Sequence, residues 1–546
     1  MNLGNKVVYQ IYPKSFQDTN GDGIGDLRGI VKRLDYLKEL GVDYLWITPF
    51  YPSPQNDNGY DVADYRSIDP MYGTMEDFDL LVEEAAKRGI YLMLDMVLNH
   101  CSTQHEWFQK ALKGDPYYRD FFIFRKGKNG LPPTNWESDF GGDAWSYLPE
   151  TDEYYLHLFH VTQADLNWNN PNVRQACCDV VNFWIDKGVK GFRFDTINLI
   201  SKPDVYEDDP DGTGKKYYAD GPKIHEYLQE LNRKTFGRYD DIITVGEMHS
   251  TTLENSIRYT NPDSHELSMI FNFHHLRIDY PSGNKWEIQP FRFHDLKKNL
   301  FTWQWEMERG GGWNSLFWYN HDQPRIVSRI GDDVRYRLES AKMLATTIHG
   351  LKGTPYIYQG EEIGMTNAGF TDISQYRDIE SLNYYNLMKR KGKPEEEIYE
   401  SLRRKSRDNS RTPMQWDATK NAGFSDAEPW IGVIPNYTEI NTLDRAAEDS
   451  VFAYYQKLIL LRKTVPVIAD GAFQALLEDD DQILAYKREN SSQELYVFCN
   501  YFPEDVRVPM DIPEDCRCIL SNYNEEIRPE GLTLRPYEAV MLLRDI

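Results

Sequence analysis

Residues 190–195, KGFRFD, form a short, mainly apolar run that ends on the carboxylate of Asp195. Two other segments share this form, 242–247 (IITVGE) and 313–322 (WNSLFWYNHD), and a similar run at 90–100 (IYLMLDMVLNH) ends on His100. Parallel strands covered by helices are apolar on both faces, so a charged residue is tolerated only where the strand emerges from the sheet. In a (β/α)8 barrel the emerging ends converge on one face, where the chemistry takes place. The pattern therefore predicts a parallel barrel with polar residues grouped at one face.

Strand-like and helix-like segments alternate along most of the chain, which is typical of repeated β/α units. The strand-like segments are 7–13, 42–50, 90–100, 190–196, 242–247, 266–275, 313–320 and 354–362. Eight such strands and the right-handed crossover rule favour closure of the sheet. The predicted fold class is α/β, a (β/α)8 TIM barrel with an inserted subdomain after its third strand and a C-terminal all-β domain.

Composition predicts where the barrel is interrupted. Residues 101–170 are rich in aromatic residues, Gly, Pro and Asn without a sustained helical period, which indicates an inserted subdomain. Residues 366–430 form a polar, Arg-rich extension, interpreted as an enlarged loop after the eighth strand. Short alternating strands over 466–546 predict a C-terminal β-sandwich. The barrel itself is expected to comprise 1–100 and 171–465.

Overall composition excludes some classes of function. The formal net charge of −25 argues against nucleic acid or an anionic membrane as a partner. No signal-peptide pattern and no long apolar run is visible, and the six cysteines lack metal-ligand spacing, so a cytoplasmic location is expected. The 13 Trp and 37 Tyr residues suit either large cores or platforms on which sugar rings stack.

The carboxylates of Asp195, Glu247 and Asp322 suggest acid–base chemistry on a neutral, hydroxyl-rich substrate such as a sugar. Hydrolysis with retention needs a nucleophilic carboxylate and a second carboxyl group about 5–5.5 Å away. Arg193 precedes Asp195 by two residues, so both side chains lie on one face of a strand and the guanidinium keeps the aspartate ionised. Glu247 has no cation beside it in sequence, which suits a proton donor. Taken singly, each carboxylate could instead form a salt bridge at a barrel rim.

Five motifs carry a resemblance to a known family, and together they are highly specific. They are DMVLNH (95–100), QADLNW (163–168), GFRFDTIN (191–198), VGEM (245–248) and NHDQPR (320–325). Over nearly its full length the chain resembles the α-amylase family of glycoside hydrolases. The resemblance implies that Asp195 is the nucleophile, Glu247 the acid/base and Asp322 a third carboxylate that grips the ring hydroxyls.

The same resemblance implies a pocket that holds one terminal sugar. Its expected residues are Asp57, Tyr60, His100, Arg193, His321 and Arg411. Arg411, in RDNSRTPMQWD, matches the partner of Asp57 that closes the pocket so that only a chain end enters. An exo-acting α-glucosidase is therefore expected, in place of an endo-amylase.

The segment DTNGDGIGD at 18–26 places acidic and amide side chains at alternate or nearby positions around glycines. Oxygen ligands at this spacing suit Ca²⁺, as in the first part of an EF-hand loop, although the twelfth-position Glu is absent. A plain turn rich in Asn, Asp and Gly is the alternative. Resemblance to the oligo-1,6-glucosidase branch favours a structural ion held by Asp18, Asn20, Asp22, Asp26 and the backbone carbonyl of Ile24. No organic cofactor is expected.

Three stretches, 157–168, 246–262 and 273–286, resemble the branch of the family that hydrolyses trehalose 6-phosphate. The third contains Arg277 and Lys285, separated by a turn at PSG, and these cations could bind the phosphate of a small disaccharide phosphate. The alternative is that both are solvated surface cations. Thr196, where Val is commoner in this branch, leaves linkage preference open.

Other functions remain open at this point. Within enzymes, the chain could act on neutral isomaltose, maltose or trehalose, or as an isomerising transglycosylase. The fold also serves as a noncatalytic transporter subunit, but that class needs an N-terminal membrane helix and usually lacks the carboxylates.

Overall fold

The computed structural model describes residues 2–280, 283–523 and 527–546. The strands among them are β1 (Val8–Ile11), β2 (Tyr44–Ile47), β3 (Tyr91–Met96), β4 (His100–Ser102), β5 (Phe124–Arg125), β6 (Trp145–Leu148), β7 (Glu153–Leu156), β8 (Gln163–Asp165), β9 (Gly191–Phe194), β10 (Ile243–Glu247), β11 (Met269–Phe271), β12 (Ser315–Leu316), β13 (Thr354–Tyr358), β14 (Ala472–Leu476), β15 (Ile483–Glu489), β16 (Gln493–Asn500), β17 (Val506–Arg507), β18 (Arg517–Ser521), β19 (Thr533–Leu534) and β20 (Ala539–Asp545).

The α-helices of the same residues alternate with the strands through most of the chain. They are α1 (Leu27–Leu40), α2 (Met75–Lys87), α3 (Glu106–Leu112), α4 (Pro116–Arg119), α5 (Pro171–Asp186), α6 (Lys215–Tyr218), α7 (Ile224–Lys234), α8 (Leu253–Thr260), α9 (Phe293–Arg309), α10 (Ile326–Ile330), α11 (Arg337–His349), α12 (Ile379–Arg390), α13 (Glu395–Lys405), α14 (Asp408–Arg411), α15 (Val451–Thr464) and α16 (Pro466–Asp470).

The predicted (β/α)8 fold class is confirmed by a sheet of eight strands in the order β11-β10-β9-β3-β2-β1-β13-β12. Its strands are short and buried on both faces, as in β1 and β10, where every residue is buried. This is the pattern expected of parallel strands between helices.

Several strands are shorter than the apolar runs that predicted them. The eighth, expected over 354–362, ends at Tyr358 because Gly360 adopts a φ of 89° and leads into a short 3-10 turn. The sixth is confined to Met269–Phe271 and the seventh to Ser315–Leu316. An apolar run marks burial, and burial continues into the loops that follow these strands.

The chain divides into two compact units. Unit 1 comprises Met1–Leu45, Glu84–Ile90 and Phe273–Ile546, and unit 2 comprises Trp46–Glu83 and Tyr91–Asn272. Neither coincides with the domain boundaries expected from sequence, which remain a prediction.

In unit 2, three parallel strands set the positions of the candidate catalytic residues. Asp95 on β3 lies opposite Arg193 on β9, and Phe194 lies opposite Gly246 on β10. Asp195 and Glu247 follow these paired positions directly, so the parallel register brings the two residues to the same level. The segment after β3 adds the antiparallel pair β4–β8 and the sheet β5-β7-β6. Trp136 and Trp145 anchor a small apolar core there.

In unit 1, the C-terminal residues form the predicted all-β region, an antiparallel sheet in the order β14-β15-β16-β20-β18. Alternate residues such as Ile483, Phe498 and Val540 pack into one apolar core beside this sheet. Among the described residues, no helix has the length and apolar character needed to cross a membrane.

Candidate active site

A single buried guanidinium organises the polar residues of unit 2. Arg193 is fully buried, and its Nη1 lies 2.7 Å from Asp95 Oδ1 and 2.7 Å from Asp195 Oδ1. Its Nη2 lies 2.6 Å from Glu247 Oε2. The three carboxylates come from adjacent strands or their ends, so the register of the sheet places them around one cation. Arg193 therefore fixes the orientation of both candidate catalytic carboxylates.

Glu247 differs from the sequence interpretation in one respect. No cation precedes it in sequence, and this absence was the reason to expect a proton donor, but the fold places Arg193 against it. The cation belongs to the neighbouring strand β9, and sequence adjacency does not reveal cross-strand neighbours. The acid/base role of Glu247 stays a prediction that rests on the family resemblance.

Asp95 is a site residue that the sequence reasoning missed. It is almost fully buried and accepts hydrogen bonds from Tyr60 Oη at 2.9 Å and Trp46 Nε1 at 3.1 Å. Burial raises the pKa of Asp95 to about 7, although Arg193 acts in the opposite direction. A charged residue inside the apolar run IYLMLDM was the available signal, because such a residue needs a buried partner.

Thr196 takes a strained backbone conformation beside both carboxylates. Its φ of 39° lies in the left-handed region, which is unusual for a β-branched residue. The Thr196 amide lies 3.3 Å from Glu247 Oε2, and its hydroxyl donates to Asp195 Oδ2 at 3.2 Å. Strain of this kind persists where the surroundings hold it and often accompanies functional sites. The sequence marked Thr196 only as an unusual residue after Asp195.

The remaining predicted pocket residues of unit 2 are joined through Gln163. Its Nε2 donates to Asp57 Oδ2 at 3.0 Å and lies 3.2 Å from His100 Nε2. Burial lowers the pKa of His100, so the imidazole is favoured in its neutral form. A neutral imidazole and a paired aspartate offer both donors and acceptors, as recognition of sugar hydroxyls requires.

A buried lysine lies next to this group. Lys202 Nζ lies 2.7 Å from Asp165 Oδ2 and donates to Asn99 Oδ1 at 2.6 Å. Asp165 on β8 pairs in register with His100 on β4. Lys202 thus neutralises the buried carboxylate of Asp165, which lies next to the candidate pocket residue His100.

In unit 1, the predicted residues His321 and Asp322 follow strand β12. Gln10 Nε2 lies 2.8 Å from His321 Nδ1, and the ring of Tyr12 stacks on the imidazole with centroids 6.0 Å apart. His321 Nε2 lies 3.3 Å from Asp322 Oδ2. These contacts orient the imidazole toward the adjacent carboxylate.

Two arginines bind the same oxygen of Asp322. Arg411 Nη2 lies 2.7 Å and Arg407 Nη1 3.2 Å from Asp322 Oδ1. Both also contact Asp378 Oδ1, Arg407 Nη2 at 2.5 Å and Arg411 Nη1 at 3.5 Å. Burial would raise the pKa of Asp378, but Arg407 and then Arg411 outweigh it and hold that pKa well below its usual range. The expected pairing of Arg411 with Asp57 stays a prediction.

Arg407 and Asp378 were not singled out from sequence. The signal was only the high arginine content of residues 366–430, which does not say which arginine faces which carboxylate. Asp378 contacts both Arg407 and Arg411, so it holds in place the two guanidinium groups that bind Asp322.

The two candidate phosphate ligands lie in different surroundings. Arg277 is exposed on a short 3-10 turn, Arg277–Asp279. Lys285 is largely buried and pairs with Glu380, with Nζ 2.5 Å from Oε2. Residues 281 and 282 of the predicted PSG turn lie outside the described residues. Lys285 is therefore not the solvated cation of the alternative interpretation.

The loop at 18–26 is held by hydrogen bonds of its own. Asp18 accepts from the backbone amides of Asn20, Gly21 and Gly23, and Asp26 caps α1 by accepting from Gly29 N at 2.7 Å. Within 2–280, 283–523 and 527–546, no group of three or more His, Cys, Asp or Glu side chains is placed to hold a metal ion. The oxygen-rich side chains of this loop suit Ca²⁺, but its internal hydrogen bonds equally suit a plain turn. The calcium site stays a prediction.

The model of the family described as alpha-amylase, catalytic domain, matches residues 10–471. A trehalose-6-phosphate hydrolase of Bacillus subtilis is 54% identical over 98% of this chain and 97% of its own length. An oligo-1,6-glucosidase of Parageobacillus thermoglucosidasius is 52% identical, with coverages of 98% and 97%. The crystal structure of Bacillus licheniformis trehalose-6-phosphate hydrolase superposes with a TM-score of 0.96 at 54% identity, covering 99% of each chain. With its buried carboxylates gathered around Arg193 and a match along nearly its whole length, the chain belongs to the α-amylase family.

Proposed function

We propose that the chain is an exo-acting, retaining α-glucosidase that hydrolyses trehalose 6-phosphate to glucose and glucose 6-phosphate. The observation that carries the catalytic part is the pair Asp195 and Glu247 held on one guanidinium. Two carboxylates that contact the same guanidinium suit the separation of about 5–5.5 Å found in retaining enzymes, not the wider spacing of inverting ones.

In the proposed mechanism, Asp195 attacks the anomeric carbon of the glucose while Glu247 protonates the leaving glycosidic oxygen. A covalent glycosyl-enzyme forms and glucose 6-phosphate departs. Glu247 then takes a proton from water, whose oxygen attacks the anomeric carbon and releases Asp195. Arg193 keeps the Asp195 carboxylate oriented for attack, and Asp322, held by Arg407 and Arg411, is the proposed ligand of the sugar hydroxyls.

The substrate part of the proposal rests on the relatives and on Arg277 and Lys285. A trehalose-6-phosphate hydrolase is 54% identical to the chain along almost its full length. The two cations belong to one segment after the sixth strand of the barrel sheet, where the sequence predicts the leaving-group sugar. A phosphorylating transporter releases a disaccharide phosphate into the cytoplasm, so the cytoplasm is the proposed location of the enzyme.

A second candidate is hydrolysis of neutral isomaltose-type oligosaccharides. An oligo-1,6-glucosidase is almost as similar, at 52% identity. The ion pair between Lys285 and Glu380 also favours this candidate, because a neutralised lysine offers less attraction to a phosphate.

The deciding experiment compares kcat/KM of the purified protein on trehalose 6-phosphate, trehalose, isomaltose and maltose. In Arg277→Ala and Lys285→Ala, loss of a charge-assisted contact should cost about 1.5–3 kcal/mol of binding free energy in the transition state. The value of kcat/KM on trehalose 6-phosphate should therefore fall roughly 10–150-fold. Hydrolysis of 4-nitrophenyl α-glucoside should change little. Lys352→Ala is the matched control, because Lys352 is also partly buried and paired, with Nζ 2.7 Å from Glu308 Oε1.

Equal losses on both substrates would mean that these cations stabilise the fold. A wild-type preference for isomaltose over trehalose 6-phosphate would favour the second candidate.

A further inference from the structure

Lys285 is held in place by a carboxylate and by an aromatic pair. Its Nζ lies 2.5 Å from Glu380 Oε2, and its side chain is 16% exposed. The ammonium lies 5.1 Å from the ring centroid of Trp286, which stacks on Tyr384 with centroids 4.2 Å apart and planes 8° apart. Tyr384 and Glu380 both belong to α12, so the lysine is positioned against one helix.

Glu380 also joins this lysine to the residues that hold Asp322. Glu380 Oε2 lies 3.5 Å from Arg407 Nε, and Arg407 in turn contacts Asp378 and Asp322. A continuous series of ion pairs therefore runs from Lys285 to the third candidate catalytic carboxylate.

The charges of this series balance. Three cations, Lys285, Arg407 and Arg411, face three carboxylates, Glu380, Asp378 and Asp322. A phosphate that binds Lys285 brings additional negative charge to these six side chains, which contain no excess of cations to neutralise it, and Asp408, whose Oδ2 accepts from Asp378 N at 3.0 Å, is a further acidic group beside them. Like charges at contact distance repel strongly where water is partly excluded, so Glu380 and the phosphate cannot share the ammonium without cost.

Resting on the proposed function, we infer that Glu380 is a specificity-determining residue that competes with the substrate phosphate for Lys285. In the substrate-free protein Glu380 neutralises the lysine and makes the site a weak binder of small anions. The phosphate displaces the Glu380 carboxylate from Lys285, and Arg407 remains as the cation beside Glu380. An anion that is also anchored by its sugar has additional binding free energy for this exchange, so free phosphate binds the wild-type protein only weakly.

Glu380→Gln tests this inference because the amide keeps the shape and removes the charge. Inorganic phosphate is the probe of the site, measured as a competitive inhibitor of trehalose 6-phosphate hydrolysis and by calorimetric titration. We expect its inhibition constant to fall about tenfold, equivalent to about 1.4 kcal/mol. We also expect the ratio of kcat/KM on trehalose 6-phosphate to that on 4-nitrophenyl α-glucoside to rise. Glu380→Asp, which keeps the charge but shortens the reach, should give an intermediate effect.

Two further variants separate competition from a change in overall charge or in packing. Glu396→Gln removes one negative charge from an exposed pair with Arg403 on α13 and should leave phosphate inhibition unchanged. In the double variant Glu380→Gln/Lys285→Ala the gain in phosphate affinity should disappear, because the cation it depends on is absent.

The inference is overturned if Glu380→Gln leaves phosphate binding unchanged or weakens it. It is also overturned if the gain survives in the double variant. A wild-type protein that fails to hydrolyse trehalose 6-phosphate would reject the proposed function instead, and the calorimetric titration with phosphate would still decide the competition at Lys285.

Discussion

Replacing Asp95 by asparagine tests how the buried cluster around Arg193 carries its charge. The pKa of Asp95, raised by burial, is about 7 in the native state against an ordinary value of 3.8. Between these two values the native protein keeps a proton on Asp95 that the unfolded chain has released. The stability contributed by this proton is full below the ordinary value and is lost as pH rises through about 7.

The magnitude follows from the separation of the two pKa values. Each pKa unit is equivalent to roughly 1.4 kcal/mol, so the shift of Asp95 corresponds to a loss of up to about 4 kcal/mol in the free energy of unfolding between pH 4 and 7. The substituted asparagine would not titrate, and its amide carries one donor hydrogen more than the protonated carboxyl of Asp95, facing groups that already donate to it, namely Tyr60, Trp46 or Arg193. That mismatch should cost about 1–3 kcal/mol. We therefore expect Asp95→Asn to be destabilising at pH 5 and to approach or exceed wild-type stability at pH 8.

Equilibrium unfolding in urea at pH 5, 6, 7 and 8, with both proteins in the same buffers, measures this difference. Asp79→Asn is the control, since Asp79 is 52% exposed and paired with Lys187 at the surface. Its effect should not vary in this way with pH. If the cost of Asp95→Asn stays constant or grows as pH rises, then Arg193 keeps Asp95 ionised throughout, and the reasoning from burial is refuted.

The remaining predictions concern catalysis and the loop at 18–26. Asp195→Asn and Glu247→Gln should each remove nearly all turnover of 4-nitrophenyl α-glucoside while circular dichroism and melting temperature stay close to wild type, and near-normal activity in Asp195→Asn would reject it as the nucleophile. Nuclear magnetic resonance of the first-formed glucose should show the α anomer, whereas initial β-glucose would indicate inversion. If Ca²⁺ binds at Asp18, Asn20, Asp22 and Asp26, chelation should lower the melting temperature but spare turnover at lower temperature, since a ligand of the native state alone stabilises it. Elemental analysis that finds no bound cation would contradict the calcium site.

Much of the fold was predictable because it depends on short-range patterns. The runs at 190–195 and 242–247 are apolar and end on carboxylates, and the structure places both as buried parallel strands, with Asp195 directly after the end of β9 and Glu247 as the last residue of β10. Strand lengths were overestimated where burial continues past the last strand residue, as after Tyr358. Hydrophobicity reports burial, and it does not distinguish a strand from a buried loop.

The candidate site was predictable in its residue types but not in its partners. Asp95 was overlooked although it lies directly opposite Arg193 in the parallel register. The left-handed conformation of Thr196 has no sequence signature, because a β-branched residue is not expected there.

The sequence by itself determined which segments become buried strands and at which ends their carboxylates emerge, because alternation and apolar runs are properties of neighbouring residues. Only the tertiary structure decided which charges meet. Arg193 pairs with Asp95 across 98 residues of chain, and Lys285 pairs with Glu380 across 95. A buried charge must find an opposite charge or a hydrogen-bond partner, but several are available in a chain this rich in ionisable groups. Strand register and loop paths choose among them, and these are set by packing between segments far apart in sequence.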